Sequence, residues 1–494
     1  MSETTTASAD APGPSSVDLI VRHGTVLTMD DDGRVIQDGA VAVRGRDILA
    51  VGADADIAAS FHAARVIDAR GAPVHPGLVE CHLHASFHTY RGAFSDLIPE
   101  DEIFDAFELV FYNTVNDDEE HLAVVLSALE MIRNGTTCFM EAGTVLEPVA
   151  AAEAAALVGI RALIGDAFIW DQPTGLAQGK ESAEEGPLRV KGRIDRSPRT
   201  LDEALARLGG QLERNRDPEA LVTGHVAVLG LGTASEELLM AAREVADGAG
   251  TVLNMHHAYS RADTSADRVR YGGDPLVHLA DIGFLARNVT MAHANHLTDA
   301  ECDRIVERGS SLAWAPAASM MWGHDGSFRG RHAELWRRGA NIALGSDSAN
   351  WSNSFDLFRQ ANLALLTARA SHEDRTYLLA EDVLAMATRA GARATGLESR
   401  IGTLEPGKRA DLVIHSMDRP EMNPRTDLLR NLMYASGSKS VRTVIVDGRL
   451  VLEDGEFPGL DEERLMAQVN EASARLLGRM GVSLTADRSA RRSS

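Results

Sequence analysis

Residues 76–84 of the chain read PGLVECHLH. The run 78–82 is short and apolar enough for a buried strand, and it ends on His82-Leu83-His84. Alternate residues of a strand point to the same face, so the two imidazoles face one way, as two ligands of one metal ion require. The stretch therefore predicts a strand that carries metal ligands at its carboxyl end.

Short apolar runs of this kind recur along the middle of the chain. They alternate with stretches of helical period such as 119–133, 235–248 and 298–309. The predicted strands are 78–82, 137–141, 160–165, 222–229, 252–256, 289–293, 311–315 and 341–345. This alternation indicates an α/β protein, a (β/α)8 TIM barrel over 74–403. A doubly wound open sheet is the alternative fold, but no glycine-rich phosphate turn follows the first strand.

Both ends of the chain are rich in β-branched runs broken by Gly and Asp, at 18–67 and again at 410–416 and 441–456. We expect the segments 18–73 and 404–460 to pair into a small β-sandwich domain. Residues 1–17 are predicted to be a disordered tail, and 461–494 a C-terminal helix and tail.

Composition narrows the classes of partner. The 494 residues include 49 Lys and Arg against 72 Asp and Glu, a formal net charge of -23. That charge excludes nucleic acid and anionic membranes as expected partners, because both need a cationic surface. No run approaches the roughly 20 apolar residues of a membrane span, and the amino terminus lacks the features of a signal peptide. We expect a cytoplasmic protein whose cysteines, Cys81, Cys138 and Cys302, are free thiols.

Three further predicted strand ends carry metal-competent side chains: His256, His293 and Asp347. In a barrel of this kind all strand carboxyl ends meet on one face, so these groups join His82 and His84. Nitrogen ligands with one carboxylate suit Zn²⁺, with Fe²⁺ or Mn²⁺ as alternatives. Such an ion lowers the pKa of bound water toward 7, and Asp347 is placed to move the proton of the resulting hydroxide nucleophile.

One metal ion per subunit is expected. A second ion bridged by a carboxylated lysine is disfavoured, because no lysine lies on a predicted barrel strand. The lysines of the chain are Lys180, Lys191, Lys408 and Lys439.

Six motifs lie between residues 18 and 456: PGLVECHLH, RGAFSDL, ALEMIRNGTTCFMEAG, AHANHLTDAE, LGSDSANWSNSFDLF and ATRAGARATGLESRIGTLEPGKRADLVI. By these motifs the chain resembles the amidohydrolase superfamily, in the branch of the cytosine, guanine and S-adenosylhomocysteine deaminases and the s-triazine hydrolases (chlorohydrolases). The resemblance implies that His82, His84, His256 and Asp347 bind the metal, and that His293 binds the metal or the polarised substrate atom. It also implies a homodimer or higher homo-oligomer.

The chain departs from that branch at three places. The usual H-x-x-E after strand five, whose Glu carries a proton to the attacked ring, reads His256-His257-Ala258-Tyr259 here. A phenol donates a hydrogen bond but is a poor proton shuttle at neutral pH. After strand four, residues 230–235 read GLGTAS and lack the usual histidine, and after strand seven, 315–319 read APAAS and lack P-x-S-N.

These features predict a metal-dependent hydrolase of a C–N bond, of deaminase type, acting on a small cyclic nitrogen compound. The alternatives are a hydrolytic dehalogenase, a cyclic amide hydrolase or a binding protein without turnover. The predicted catalytic residues are Asp347, His293 and Tyr259. The predicted substrate-binding residues are His257, His296, Trp322 and Arg91, although Trp322 could be loop packing and Arg91 structural. The polar stretch 170–200 could be a lid, an insertion or a dimer contact.

Overall fold

The computed structural model describes residues 14–93, 107–172 and 194–482. Within them the chain is an α/β protein, with one mixed sheet built from its two ends and two parallel sheets between. Residues 1–13 of the predicted tail and 173–193 of the polar stretch lie outside the described residues. Residues 15–17, placed in the tail by the sequence, instead belong to the first strand, because Val17 is buried and pairs with Ala63.

The mixed sheet joins the amino-terminal and carboxyl-terminal segments. Its strands are β1 (Ser15–Leu27), β2 (Val35–Arg44), β3 (Asp47–Ala53), β4 (Phe61–Asp68), β5 (Pro73–Pro76), β16 (Leu412–His415), β17 (Val441–Val446) and β18 (Arg449–Leu452). Their order is β18-β17-β16-β5-β1-β2-β3, with β4 paired to β1. The two ends meet where β16 runs antiparallel to β5, with Leu412 opposite Pro76.

The two parallel sheets hold the predicted barrel strands. One has the order β15-β6-β7-β8-β9 and the other β10-β11-β12-β13-β14. The strands are β6 (Leu78–His84), β7 (Thr136–Glu141), β8 (Arg161–Ile164), β9 (Val222–Gly224), β10 (Val226–Gly230), β11 (Leu253–His257), β12 (Val289–His293), β13 (Ser311–Trp314), β14 (Asn341–Leu344) and β15 (Asp347–Ser348). Each predicted strand is confirmed within a few residues. The fourth is divided at His225 into β9 and β10.

The helices connect the strands or follow them along the chain. They are α1 (Asp54–Ser60), α2 (Leu109–Tyr112), α3 (Asp117–Arg133), α4 (Pro148–Val158), α5 (Leu201–Arg207), α6 (Glu236–Ala249), α7 (Arg261–Tyr271), α8 (Pro275–Asp281), α9 (Asp299–Arg308), α10 (Pro316–Met321), α11 (Gly326–Arg329), α12 (His332–Arg337), α13 (Leu357–Ser371), α14 (Ala380–Ala387), α15 (Arg389–Ala394), α16 (Leu428–Asn431) and α17 (Glu462–Arg479). A capping box at Thr298 and Glu301 begins α9, and the helical stretch predicted at 298–309 is confirmed.

Close backbone approaches position the strand that carries the first two histidines. Gly77 joins β5 to β6, and a Cβ there would lie 1.9 Å from Oγ1 of Thr137, so only glycine fits. Gly345 stands between β14 and β15, where a Cβ would lie 2.9 Å from Cβ of His82. The two glycines let β6 pack directly against its neighbours on both sides.

A buried ion cluster ties the mixed sheet to the parallel strands. Arg161 of β8 donates from Nε to Asp411 at 3.0 Å and from Nη2 to Asp447 at 3.0 Å, and all three side chains are buried. Asp411 precedes β16 and Asp447 follows β17. Removing one partner would leave an uncompensated buried charge, so the cluster holds the two parts of the chain in register.

Cys81, Cys138 and Cys302 are free and buried, as predicted. Among the described residues no helix is long and apolar enough to cross a lipid bilayer.

Candidate metal centre

Four imidazoles and one carboxylate meet at the carboxyl ends of the parallel strands. His82 and His84 lie on β6, His256 on β11, His293 on β12 and Asp347 on β15. The ring centroid of His82 lies 5.1 Å from that of His84, 4.6 Å from that of His256 and 5.1 Å from that of His293. Two overlapping sets, His82 with His84 and His256, and His82 with His293 and Asp347, have ligand atoms within 4.8 Å of one another. The structure thus brings together all five residues predicted to lie at the metal.

Two of these residues have a left-handed backbone conformation. His293 has φ 66° and Asp347 has φ 63°, a left-handed conformation that only a few per cent of residues other than glycine adopt, although His and Asp adopt it more often than most. Such a residue costs about 1–3 kcal/mol and persists where surrounding packing fixes it, often at functional sites. Both side chains are buried, so the strain is stored where the strand ends meet.

His82 lies at the middle of the cluster and is buried. Within the described part of the chain, neither Nδ1 nor Nε2 of this ring has a hydrogen-bond partner, and Nδ1 of His293 is also without one. A neutral imidazole offers one N–H and one lone pair, and burying either without a partner costs about 1–3 kcal/mol. A cation that accepts the lone pair supplies the missing partner, so the residues present fit a bound metal ion.

Burial also sets the charge of the cluster. It lowers the pKa of His256 to about 4 and takes those of His82, His84 and His293 well below the usual value. The rings are therefore neutral at pH 7, which is the form that binds metals. Burial, helped by the Glu108 carboxylate, raises the pKa of Asp347 to about 8. A divalent cation beside this carboxylate acts in the opposite direction and favours its ionised form.

Tyr259 occupies the position at which the H-x-x-E pattern has a glutamate. Its ring packs edge-on against His293, with centroids 4.7 Å apart. It also contacts the ring of His324 at 5.0 Å and that of Trp351 at 5.4 Å, and Trp322 lies 4.5 Å from Trp351. An aromatic surface of these residues therefore adjoins the metal-ligating groups, and Trp322 belongs to it.

The other predicted substrate-binding residues are not brought to the cluster. The His257 ring projects from β11 toward α7, where its Nδ1 lies 3.7 Å from Asp267. Nε2 of His296 lies 3.9 Å from Asp325. Arg91 donates to the Glu130 carboxylate on α3. Their roles in substrate binding stay predictions.

Sequence reasoning missed several residues that border the site. Trp351 follows Asp347 by four positions within LGSDSANWSNSFDLF, so its proximity to the strand end was a usable signal. Glu108 accepts from Nε1 of Trp351 at 3.1 Å and from Nδ2 of Asn350 at 3.0 Å. It is more than 230 residues away along the chain from both of them, and nothing local in the sequence marks it. Thr144 lies 2.9 Å from Nδ1 of His84 and follows β7 in an unremarkable Gly-Thr pair.

Comparison with known proteins supports this arrangement. The amidohydrolase family matches residues 74–451. The chain is 32% identical over 459 residues to a 5-methylthioadenosine/S-adenosylhomocysteine deaminase of Syntrophobacter fumaroxidans, covering 92% of this chain and 98% of that one. It is 30% identical over 471 residues to a 5'-deoxyadenosine deaminase of Methanosarcina mazei, covering 94% and 99%.

Among solved structures, an adenosine deaminase of Xanthomonas campestris with bound zinc superposes with a TM-score of 0.82 at 28% identity, over 94% of this chain and 100% of that one. Atrazine chlorohydrolase TrzN of Arthrobacter aurescens, complexed with zinc, gives a TM-score of 0.79 over 92% and 100%. At 22% identity, the latter shows a shared fold alone. The chain belongs to the amidohydrolase family, and the predicted enzyme class, a hydrolase of carbon–nitrogen bonds, is confirmed.

Proposed function

We propose that this chain is a metal-dependent deaminase that removes an exocyclic amino group from a flat nitrogen heterocycle, with adenosine-type nucleosides as its substrate class. The observation that carries the proposal is His82, a buried ring with two unpartnered nitrogens among three imidazoles and a carboxylate. The relatives named as 5-methylthioadenosine/S-adenosylhomocysteine and 5'-deoxyadenosine deaminases, matched over nearly their full lengths, supply the substrate class.

In this proposal His82, His84, His256 and Asp347 hold one divalent cation per subunit. Zinc is the ion we propose, since three neutral imidazoles and one carboxylate suit it and a structurally similar deaminase was solved with bound zinc. When bound, the ion lowers the pKa of a coordinated water toward 7 and so supplies a nucleophile at neutral pH.

The chain's own groups move protons and hold the substrate. The Asp347 carboxylate takes a proton from the attacking water and passes it to the leaving amino nitrogen. His293, whose Nε2 lies 3.9 Å from Asp347, hydrogen-bonds the attacking water and orients its oxygen toward the carbon under attack. The phenol of Tyr259, packed on His293, donates a hydrogen bond to the ring nitrogen, in place of the proton that a glutamate would supply.

The aromatic surface formed by Tyr259, Trp322 and Trp351 suits a flat ring. Aromatic pairs gain about 0.5–1.5 kcal/mol beyond the burial of their area when offset or edge-on. In the structure these three side chains already pack together beside His293, so a heterocycle would enter a preformed surface.

The test is product analysis with purified enzyme. Release of ammonia from 5'-deoxyadenosine, 5-methylthioadenosine or adenosine, with loss after chelation and return after zinc is added, is the expected result. Two alternatives stay within the same assay: chloride from a chlorotriazine would indicate a dehalogenase, and ring opening of a cyclic amide without ammonia would indicate an amide hydrolase. No product from any of these classes would leave a binding protein and overturn the proposal.

We also propose that the two parallel sheets close into one (β/α)8 barrel over 74–403. Support comes from Glu80 of β6, which accepts from the backbone of Ser346 at 2.9 Å, and from a buried cluster that includes Val79 of β6 and Ala343 of β14. The segments 18–73 and 404–460 would form the small β-sandwich domain, followed by the C-terminal helix Glu462–Arg479; residues 483–494 of the predicted tail lie outside the described residues. A cytoplasmic homodimer completes the proposal, and light scattering of the purified protein tests the dimer.

A further inference from the structure

The His84 ring is held at both of its nitrogens. Nδ1 lies 2.9 Å from Oγ1 of Thr144, and Nε2 lies 3.1 Å from Nε2 of His256. A neutral imidazole carries its hydrogen on one nitrogen and a lone pair on the other. Which nitrogen of His84 carries the hydrogen therefore decides whether Nε2 offers the centre a lone pair.

Thr144 determines that choice, because its own hydrogen is committed elsewhere. Its Oγ1 donates to Oε1 of Glu141 at 2.8 Å. Oε2 of Glu141 also accepts from the backbone N–H groups of Gly143 at 2.6 Å and Thr144 at 3.0 Å. With its hydrogen directed at Glu141, the Thr144 hydroxyl can only accept from His84, so Nδ1 of His84 carries the N–H.

The carboxylate form of Glu141 is the one that this surrounding accommodates. Burial raises the pKa of Glu141 to about 7, while the donors from Thr144 and Gly143 act against that rise. Each oxygen accepts at least one of those donors, and this geometry, in which three N–H or O–H groups point at the carboxylate, favours its ionised form. Glu141 and Thr144 are both buried, so water does not readily replace either partner.

His256 is fixed in the same sense by the backbone. Its Nδ1 bonds to the carbonyl oxygen of Leu229, which can only accept. With Nδ1–H on both rings, the two Nε2 atoms present lone pairs to each other at 3.1 Å. That approach is repulsive unless a cation lies between or beside the lone pairs, which is the arrangement that two imidazole ligands need.

We propose that Thr144, aligned by Glu141, is a positioning residue that locks His84 in its Nδ1–H tautomer and thereby sets the metal affinity of the centre. The proposal rests on the proposed metal-dependent function. Among the acceptors that orient the His84 and His256 rings, Thr144 is a side chain and Leu229 acts through its backbone, so substitution can remove the first alone. Groups that hydrogen-bond metal-ligating imidazoles typically change metal affinity about 10–100-fold when removed.

The first experiment compares Thr144→Val with Thr144→Ser. Valine keeps the shape and burial of the side chain but cannot accept from Nδ1, whereas serine can. Thr395→Val is the matched control, since Thr395 is equally buried and its hydroxyl bonds only to backbone carbonyls of α15. Zinc affinity is measured by competition with a chromogenic chelator. We expect Thr144→Val to weaken it about 10–100-fold, and Thr144→Ser and Thr395→Val to stay near wild type.

The second measurement reads the tautomer directly and needs no metal. Long-range ¹H–¹⁵N correlation spectra of histidine-labelled, metal-free protein assign the protonated nitrogen of His84. Nδ1–H is expected in the wild type and in Thr144→Ser. In Glu141→Gln the amide can donate to Thr144, whose hydroxyl then donates to Nδ1, so the hydrogen is expected to move to Nε2.

The two readouts separate the claims. A wild-type protein that binds no zinc would overturn the proposed metal function, whatever the tautomer of His84. A wild type that binds zinc but shows Nε2–H on metal-free His84, or a Thr144→Val variant with unchanged zinc affinity and an unchanged tautomer, would overturn the role of Thr144. A loss of affinity equal in Thr144→Val and Thr395→Val would reduce the effect to packing and would also overturn it.

Discussion

The ring of Tyr259 packs edge-on against the ring of His293, with their centroids 4.7 Å apart. Tyr259 stands where the H-x-x-E pattern of related deaminases places a glutamate, so in the proposed function the group offered to the substrate's ring nitrogen is a phenol. A phenol has a pKa near 10 and donates a hydrogen bond without giving up its proton at neutral pH. This contact makes Tyr259 the residue that distinguishes this site from that pattern.

We expect Tyr259→Glu to raise kcat on an adenosine-type amine, because a positioned carboxylic acid contributes about 10²–10⁴-fold when it transfers a proton in the transition state. Tyr259→Phe should lower kcat and leave the metal content unchanged. Tyr271→Phe, on the outer helix α7, is the control. Equal kcat values for wild type and Tyr259→Phe would remove the phenol from the mechanism.

Asp347→Asn should abolish turnover while the protein stays folded. The amide cannot take a proton from the attacking water, although it keeps the size of the side chain. Steady-state ammonia release measures turnover, and thermal unfolding followed by circular dichroism checks the fold. Near-normal turnover in a folded variant would show that Asp347 does not move the proton.

Gly345→Ala should destabilise the protein and loosen the centre at once. The added Cβ would lie 2.9 Å from Cβ of His82 and 3.0 Å from its carbonyl oxygen, so β6 or β15 must shift. Overpacking of this kind costs about 1–3 kcal/mol. Gly248→Ala in α6 is the control, since nothing lies within 4 Å of its Cβ and removal of a helical glycine stabilises by about 0.5–1 kcal/mol. Urea unfolding gives the free energy of unfolding of each variant. Unchanged stability in Gly345→Ala would contradict the close approach of Gly345 to His82.

Glu130 contributes to the loss of folding stability that we expect at acid pH. Burial would raise its pKa, but the hydrogen bond and charge of His88 and the charge of Arg91 hold it at about 2. Burial lowers the pKa of His88 itself. Because the folded pKa lies below the usual 4.5, Glu130 stabilises the fold above that pH, and this contribution is lost as the pH falls toward 2.

We therefore expect Glu130→Gln to lower stability at pH 7 and to flatten its decline between about pH 4.5 and 2. Urea midpoints measured at several pH values for both proteins test this. Parallel curves for wild type and variant would show that Glu130 titrates alike in the folded and unfolded states.

The strands and the metal-ligating set were predictable because both depend on local patterns. Apolar runs mark the buried strands, and the strand-end rule for parallel barrels gathers His82, His84, His256, His293 and Asp347 without any knowledge of tertiary contacts. The break at His225 was not predicted, although Gly224 and His225 interrupt the apolar run at that point. Thr144 and Glu108 were not predicted for another reason. Thr144 lies in the loop after β7 and Glu108 in the helical turn before α2, and only the three-dimensional path of the chain brings them to the site.

The placement of His257 shows the limit of spacing arguments. Two adjacent histidines follow the same strand, and the alternation of β11 sends one ring to the cluster and the other to Asp267 on α7. The sequence favoured His256 as the ligand because the predicted strand 252–256 ends there. The structure places its ring 4.6 Å from that of His82, in the histidine cluster. The role of the His257 ring in substrate binding stays a prediction.

The central claim is that these strand ends hold one metal ion, and elemental analysis tests it most directly. Wild-type protein purified without chelators, and the His82→Ala/His84→Ala variant prepared in parallel, are analysed by inductively coupled plasma mass spectrometry. The account predicts about one zinc per wild-type chain and almost none in a folded double variant, since two of the proposed ligands are gone. No transition metal in the wild type after growth and dialysis with zinc, or an equal content in both proteins, would contradict it.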